Sequence, residues 1–217
     1  MSPQDYRLTL YGMSGSGNCY KPALLMRQLG VPFDWVEVDI IRGGSRTPEF
    51  LARNPNGKVP LLEIADHGET RTLAESNAML CYLAEGTHLM PDDRWQRAQV
   101  MQWLFFEQYY VEPVIGSLRF WTLTGRLEVN AGLVPGKRDA AMRALSALER
   151  TCAKTLFLGG SDFTIADIAN YAYAHLSAHC GFPLAGFPGI ARWADRIAGI
   201  IGPGYPVVPY GPEARPT

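Results

Sequence analysis

The chain lacks an excess of either charge sign. Twenty lysines and arginines stand against twenty-one acids in 217 residues, for a net charge of -1. A nucleic-acid binder shows a basic excess or a basic block, and neither is present. No run approaches the roughly 18 uninterrupted apolar residues of a membrane helix. The opening stretch MSPQDYRLTLYG has neither a basic nor an apolar leader segment, so no secretory signal is expected. Cysteine is sparse: Cys19, Cys81, Cys152 and Cys180 form no C-x-x-C pair and no metal-ligand spacing. The expectation is a reduced, cytoplasmic protein with no metal, no nucleic-acid partner and no membrane partner. What is present is 47% apolar residues with 19% charged, a composition that folds as a soluble globule and not as a disordered chain.

The first ninety residues alternate between strand and helix patterns. Residues 7–11 alternate as a strand, and Gly12 to Asn18 form a glycine/serine loop. Residues 19–29 carry apolar groups at helical spacing and end at Gly30, with Pro32 beyond. Residues 34–40 read as a strand and 47–54 as a short helix stopped by Pro55. Residues 59–64 and 70–73 read as a hairpin, and 75–85 return to a helix. The order is β-α-β-α-β-β-α. After Pro91 no strand pattern recurs, and helices are expected over 92–112, 137–156, 165–179 and 188–200. The fold class is therefore α/β plus all-α, with a boundary between 1–87 and 92–217. From Gly202 the chain holds Pro203, Pro206, Pro209, Pro212 and Pro216 and is expected to be extended.

Four local features carry chemistry. The loop Ser14-Gly15-Ser16-Gly17-Asn18-Cys19 enters the first helix, whose N-terminus offers unpaired N–H groups and about half a positive charge. A hydroxyl there can donate to an anion such as a thiolate, or it can simply cap the helix. Ser16-x-x-Cys19 has the spacing of a redox C-x-x-C with its first cysteine replaced, which removes dithiol reductase chemistry at this site. In Asn54-Pro55-Asn56-Gly57-Lys58-Val59-Pro60, Pro60 opens a strand. Were its peptide bond cis, the Val59 backbone would face outward toward a peptide ligand, with Lys58 beside it for a carboxylate. Glu75-Ser76 opens the helix after the hairpin, where N–H groups and a hydroxyl suit a carboxylate and Glu75 suits an ammonium. Thr164 and Asp167 have capping-box spacing, flanked by Phe163 and Ile168 as a hydrophobic staple, and read as a folding signal.

In their order and spacing these features resemble the cytosolic glutathione S-transferase family, in its bacterial, serine-type form, from Arg7 to about Ile200. The resemblance implies a thioredoxin-like glutathione-binding domain followed by a helical domain, with glutathione as co-substrate and a homodimer as the assembly. Val59-Pro60 matches the family's cis-proline, Glu75-Ser76 its acid–serine pair for the γ-glutamyl group, and Ser16 and Cys19 its S-x-x-C arrangement. Lys58 and Arg46 match basic contacts to the glycyl carboxylate. The loop also offers Ser14, and Asn18 stands where S-x-P-C variants carry proline. The thiolate's partner is thus ranked Ser16, then Asn18, then Ser14.

The electrophile is expected against Met13, Phe106, Tyr109 and Tyr110. The stretch Trp103 to Tyr110 holds too many aromatics for one buried helix face. The implied activity is attack of the glutathione thiolate on a small apolar electrophile, in the general role of detoxification. Two alternatives share the fold: a glutathione-dependent isomerase or dehalogenase, and a non-catalytic ligand-binding or protein-interaction module.

Overall fold

The computed structural model describes residues 6–203. The expected tail therefore lies outside the described residues from 204 onward. The chain divides into two compact units, Met1–Leu83 and Ala84–Thr217.

Unit one is a four-stranded sheet with helices. Its elements are β1 (Tyr6–Gly12), α1 (Gly17–Gln28), β2 (Asp34–Glu37), a 3-10 turn (Gly44–Arg46), α2 (Pro48–Arg53), β3 (Leu61–Asp66), β4 (Glu69–Ala74) and α3 (Ser76–Ala84). The strand order is β2-β1-β3-β4. β1 and β2 are parallel, while β1–β3 and β3–β4 are antiparallel. The period-two alternation of β1 sends Leu8 and Leu10 into a core with Ala23 and Met26 of α1, Leu62 and Ile64 of β3, and Met79 of α3. Tyr11 points the other way, onto Val38, Phe50 and Leu61.

β2 ends sooner than the alternation over 34–40 suggests. The Asp39 carboxylate accepts the N–H groups of Ile41 and Arg42 at 3.0 and 3.1 Å, and this side-chain turn replaces the strand ladder.

The register brings three loops to one end of the sheet. Tyr11 of β1 and Ala74 of β4 both pair with Leu61 of β3. The loop after β1, the Val59-Pro60 segment before β3 and the Glu75-Ser76 segment after β4 therefore leave from the same edge.

Unit two is helical: α4 (Arg94–Phe106), a π-helical stretch (Glu107–Gly116), α5 (Ser117–Leu123), α6 (Val134–Cys152), α7 (Ile165–Ala174) and α8 (Pro188–Ile201). The helix expected over 92–112 changes its turn at Glu107. Pro113 lacks an N–H and cannot continue the ordinary ladder. Its carbonyl instead accepts Ser117 Oγ at 2.7 Å and Lys137 Nζ at 2.6 Å. The helix expected over 137–156 starts earlier, with Pro135 in its first turn. The one expected over 165–179 breaks after Ala174 into a 3-10 turn, Ser177–Cys180.

All ten residues of α7 are buried, so it is the central element of this unit. It packs on α4, the π stretch and α8. Its capping box is formed: Thr164 Oγ1 accepts the Ala166 N–H, and Asp167 Oδ2 accepts the Thr164 N–H at 3.0 Å. Asp167 does more than the box requires. Its Oδ1 accepts the Leu158 N–H and the Trp193 indole N–H, each at 2.9 Å. One carboxylate therefore ties together the loop before α7, the start of α7 and α8. Burial pushes the Asp167 carboxyl above its ordinary range, against the pull of these donors.

Two stability losses are expected, at Asp167 and at His175. A lost cap alone costs about 0.5–2 kcal/mol. Asp167→Ala also strands the buried Leu158 and Trp193 donors, so the expected loss in denaturant unfolding is about 3–5 kcal/mol. A loss confined to the cap range would show that the Leu158 and Trp193 bonds contribute little.

The second concerns His175. Its ring stacks on Tyr171 at 3.9 Å and its Nδ1 meets the Tyr171 carbonyl. Burial pushes its pKa down from 6.5 to about 4. A depressed folded value makes the contribution present above pH 6.5 and lost as pH falls toward 4. Allowing for the ring's partial exposure, that is about 2–3 kcal/mol. Unfolding measured at pH 7 and pH 4.5 should show this extra loss in the wild type and not in His175→Asn.

Candidate active site

The β1–α1 loop is built for close approach. A Cβ on Gly12 would lie 2.6 Å from the Trp35 ring and 3.2 Å from Cys19 Sγ, so only glycine lets the helix start this near the strand. The Ser16 N–H donates to Met13 O at 2.9 Å, and Tyr20 N donates to Ser16 O at 3.0 Å. Ser16 is the N-cap of α1, in extended conformation, and its Oγ accepts the Cys19 N–H at 3.4 Å. The capping role uses Ser16 as an acceptor, and its own hydroxyl proton is a separate resource. Ser14 is arranged differently. Its N–H and Oγ both donate to Glu37, at 2.9 and 2.7 Å, and the Trp35 indole donates to the same carboxylate at 2.7 Å.

Cys19 is fully buried in the first turn. Its Sγ accepts the Met13 N–H, and burial pushes the thiol up to about 11. It is thus a packing residue and not a ready thiolate.

Lys21 was not singled out from the sequence, yet it is fully buried (0% exposed) and reaches into the same place. Its Nζ donates to Asn18 Oδ1 at 2.9 Å and to Ser76 Oγ at 3.3 Å, and Ser76 Oγ lies 3.3 Å from Asn18 Oδ1. These bonds join the first turns of α1 and α3. The available signal was a lysine in the apolar run CYKPALLM, where a charge on a buried helix face needs partners.

Ser76 is buried, whereas Glu75 before it is exposed. Glu75 caps α3 through its carbonyl, which accepts the Met79 N–H at 3.0 Å. Its φ is +67°, a left-handed conformation that L side chains rarely adopt. Strain of this kind persists where the surroundings impose it.

The Val59–Pro60 bond is cis. The loop before it is braced by Asn54, whose Nδ2 donates to Lys58 O at 2.7 Å and whose Oδ1 accepts the Asn56 N–H at 3.2 Å. Arg46 Nη1 donates to Asn56 O at 3.1 Å. Arg46 and Lys58 are both exposed.

Among the described residues no group of three His, Cys, Asp or Glu side chains forms a metal site, and no helix is long and apolar enough to cross a membrane.

In unit two, Tyr110 lies tilted against Phe106 and edge-on to Tyr109, with ring centroids 5.4 and 4.8 Å apart. They line a cavity of about 350 Å³ together with Val114, Ala140, Arg143 and Ala144. Tyr109 is 75% and Phe105 67% exposed, so part of this aromatic stock faces away from the core. Met13 belongs to unit one and is buried there. A larger cavity, about 530 Å³, is lined by Met142, Arg150, Phe182 and Phe187 among others, and holds none of the residues the sequence points to. Glu149 in its wall is committed to capping α8, through the Gly189 and Ile190 N–H groups.

Comparison with known proteins meets this geometry. Family models described as the glutathione S-transferase N-terminal and C-terminal domains match residues 15–85 and 131–196. Glutathione S-transferase 3 of Zea mays is 33% identical, over 88% of this chain and 89% of its own. The chain belongs to the glutathione S-transferase family. A crystal structure described as a possible glutathione S-transferase from Rhodopseudomonas palustris is 44% identical with a TM-score of 0.85, over 91% of this chain and 88% of that one. A glutathione transferase from Burkholderia graminis, 25% identical with a TM-score of 0.79 over 93% and 88% of the two chains, was solved with two glutathione molecules per subunit. The protein is thus a glutathione transferase.

The strained Glu75 gives a test of its placement in this transferase. A left-handed conformation costs a non-glycine residue about 1–2 kcal/mol, offset in part by the freedom glycine adds to the unfolded chain. Glu75→Gly should therefore hold stability or gain up to about 1 kcal/mol, while glutathione affinity by calorimetry falls. Lost stability would mean that the side chain supports the fold.

Proposed function

We propose that this transferase ionises the thiol of glutathione through the Ser16 hydroxyl, assisted by Asn18 and the N-terminus of α1, and adds the thiolate to a small apolar electrophile. The supporting observation is the division of labour at Ser16. Its oxygen caps the helix by accepting the Cys19 N–H, which leaves the hydroxyl proton for an anion. The Ser14 proton goes to Glu37 instead, which favours Ser16 and Asn18 over Ser14 as thiolate partners. Ser14 keeps a part in shaping the loop.

Tripeptide binding falls to the other two loops at the same end of the sheet. Glu75 and Ser76 hold the γ-glutamyl group, the Val59 backbone pairs with the peptide, and Lys58 and Arg46 face the glycyl carboxylate. The unit expected over 1–87 takes glutathione, and the helical unit over 92–217 takes the electrophile. Phe106, Tyr109 and Tyr110 of the 350 Å³ cavity supply the apolar contacts. A homodimer in the cytoplasm, with a role in detoxification, completes the reading.

The magnitudes suffice. A thiol of pKa about 8.5 is only a few per cent thiolate at pH 7. Lowering it by about two units needs roughly 2.7 kcal/mol. One charge-assisted hydrogen bond of about 1.5–3 kcal/mol plus a helix-dipole contribution of about 0.3–1 meets that need. Disulfide chemistry through Cys19 is disfavoured by its burial and its raised thiol pKa of about 11.

The test is thiolate absorbance of bound glutathione against pH. Ser16→Ala should raise the thiol pKa by about one unit or more and lower turnover, with glutathione affinity nearly unchanged, because the hydroxyl favours the ionised form. Ser14→Ala and Cys19→Ala should titrate like the wild type. No shift in Ser16→Ala would remove the hydroxyl from the mechanism.

A further inference from the structure

Lys21 is a buried charge whose bonds join two elements of the site. An ammonium can only donate hydrogen bonds, so the atom of Asn18 facing it at 2.9 Å must be the carbonyl oxygen. The amide's two ends are otherwise nearly interchangeable, and an asparagine turned the other way would offer an acceptor, not a donor. We propose that Lys21 is a positioning residue for thiol activation: its buried ammonium holds Asn18 Oδ1 inward and so presents the Asn18 NH₂ group to the thiolate of glutathione. This rests on the reading above, in which Ser16 and Asn18 face that thiolate.

The second bond sharpens the point. In the structure the Ser76 hydroxyl also lies 3.3 Å from Asn18 Oδ1, as a donor. When Ser76 turns its proton to the substrate carboxylate, Asn18 keeps its orientation through Lys21. Lys21 remains fixed because Ser76 Oγ, 3.3 Å from Nζ, still accepts from it. The acidic group that bears on this corner from the neighbouring strand is Glu37, whose carboxylate is bonded to Ser14 and Trp35. Glu75 stands beside Ser76 and is exposed. Removing Lys21 therefore takes away the charged donor that fixes Asn18 Oδ1 at 2.9 Å, together with a nearby positive charge.

The experiment is the pH titration of thiolate absorbance in the glutathione complex, with kcat and KM over the same range. Lys21→Met keeps the stem volume and removes the donor. The expected result is a thiol pKa about one unit higher, hence about tenfold less thiolate below the wild-type pKa. kcat should fall about tenfold at pH 6.5 and recover by pH 9, with KM for glutathione changed less than about threefold. Lys21→Arg, which keeps donor and charge, should restore most of the wild-type profile. Asn18→Asp keeps an oxygen for the ammonium but cannot donate when ionised, and should raise the thiol pKa by at least about one unit.

A folded Lys21→Met that titrates like the wild type overturns the proposal. So does a Lys21→Met that loses stability alone, and so does an unshifted Asn18→Asp. Should Lys21→Met not fold, Lys21→Gln leaves a neutral polar group in the same space and is read by the same titration. A shifted thiol pKa supports the proposal there, and an unshifted one overturns it. If the wild-type complex itself titrates like free glutathione, thiol activation fails first, which separates that failure from the failure of Lys21.

Discussion

The site depends on a positive charge buried where two helices begin. α1 and α3 each carry about half a positive charge at the N-terminus, and the Lys21 ammonium lies between their first turns. Three like-signed features in one place cost free energy unless something accepts their field. Asn18 and Ser76 supply oxygen atoms to Lys21, and they are neutral. The ammonium and the two helix ends set up a positive field here, which the Glu37 carboxylate of the neighbouring strand also reaches. On the proposed reading, glutathione brings a carboxylate and a thiolate to this field. Binding and ionisation of glutathione then draw on the same field.

The sheet register makes this convergence possible. β1 and β4 flank β3, and Leu61 pairs with both Tyr11 and Ala74. Three segments far apart in sequence thus emerge together, although none contains an element longer than one helix. Each segment has its own local device: Gly12 allows the close helix start, Asn54 braces the turn before the cis Val59–Pro60 bond, and Glu75 takes up a left-handed conformation.

Much of this was legible in the sequence. The β-α-β-α-β-β-α order followed from alternation and turn residues, and the Thr164–Asp167 box from its spacing. The legible features depend on neighbours in the chain. What escaped depends on partners far away. Nothing local says that Glu37 will receive Ser14 and Trp35, or that Asp167 will also hold Trp193, 26 residues on. Lys21 escaped because a lysine in a helical pattern reads as a solvated stem until its burial is known. The π stretch escaped because it begins at Glu107, inside the aromatic run from Trp103 to Tyr110, whereas the proline that breaks the ladder, Pro113, stands six residues further on.

On the proposed reading, Ser16 holds a structural and a chemical role at once. A helix cap needs an acceptor, and thiolate stabilisation needs a donor. A hydroxyl carries both, and its two functions act on different atoms of the same group. Alanine at this position would remove both, so loss of activity alone could not separate a frayed helix from a missing donor. A carboxylate would cap equally well but would repel the thiolate. An amide could donate, but it needs an orienting partner to do so reliably. At Ser16 a freely rotating hydroxyl orients itself. At Asn18 the orientation must come from outside, and a buried ammonium whose every hydrogen bond is donated is the simplest group that can impose it.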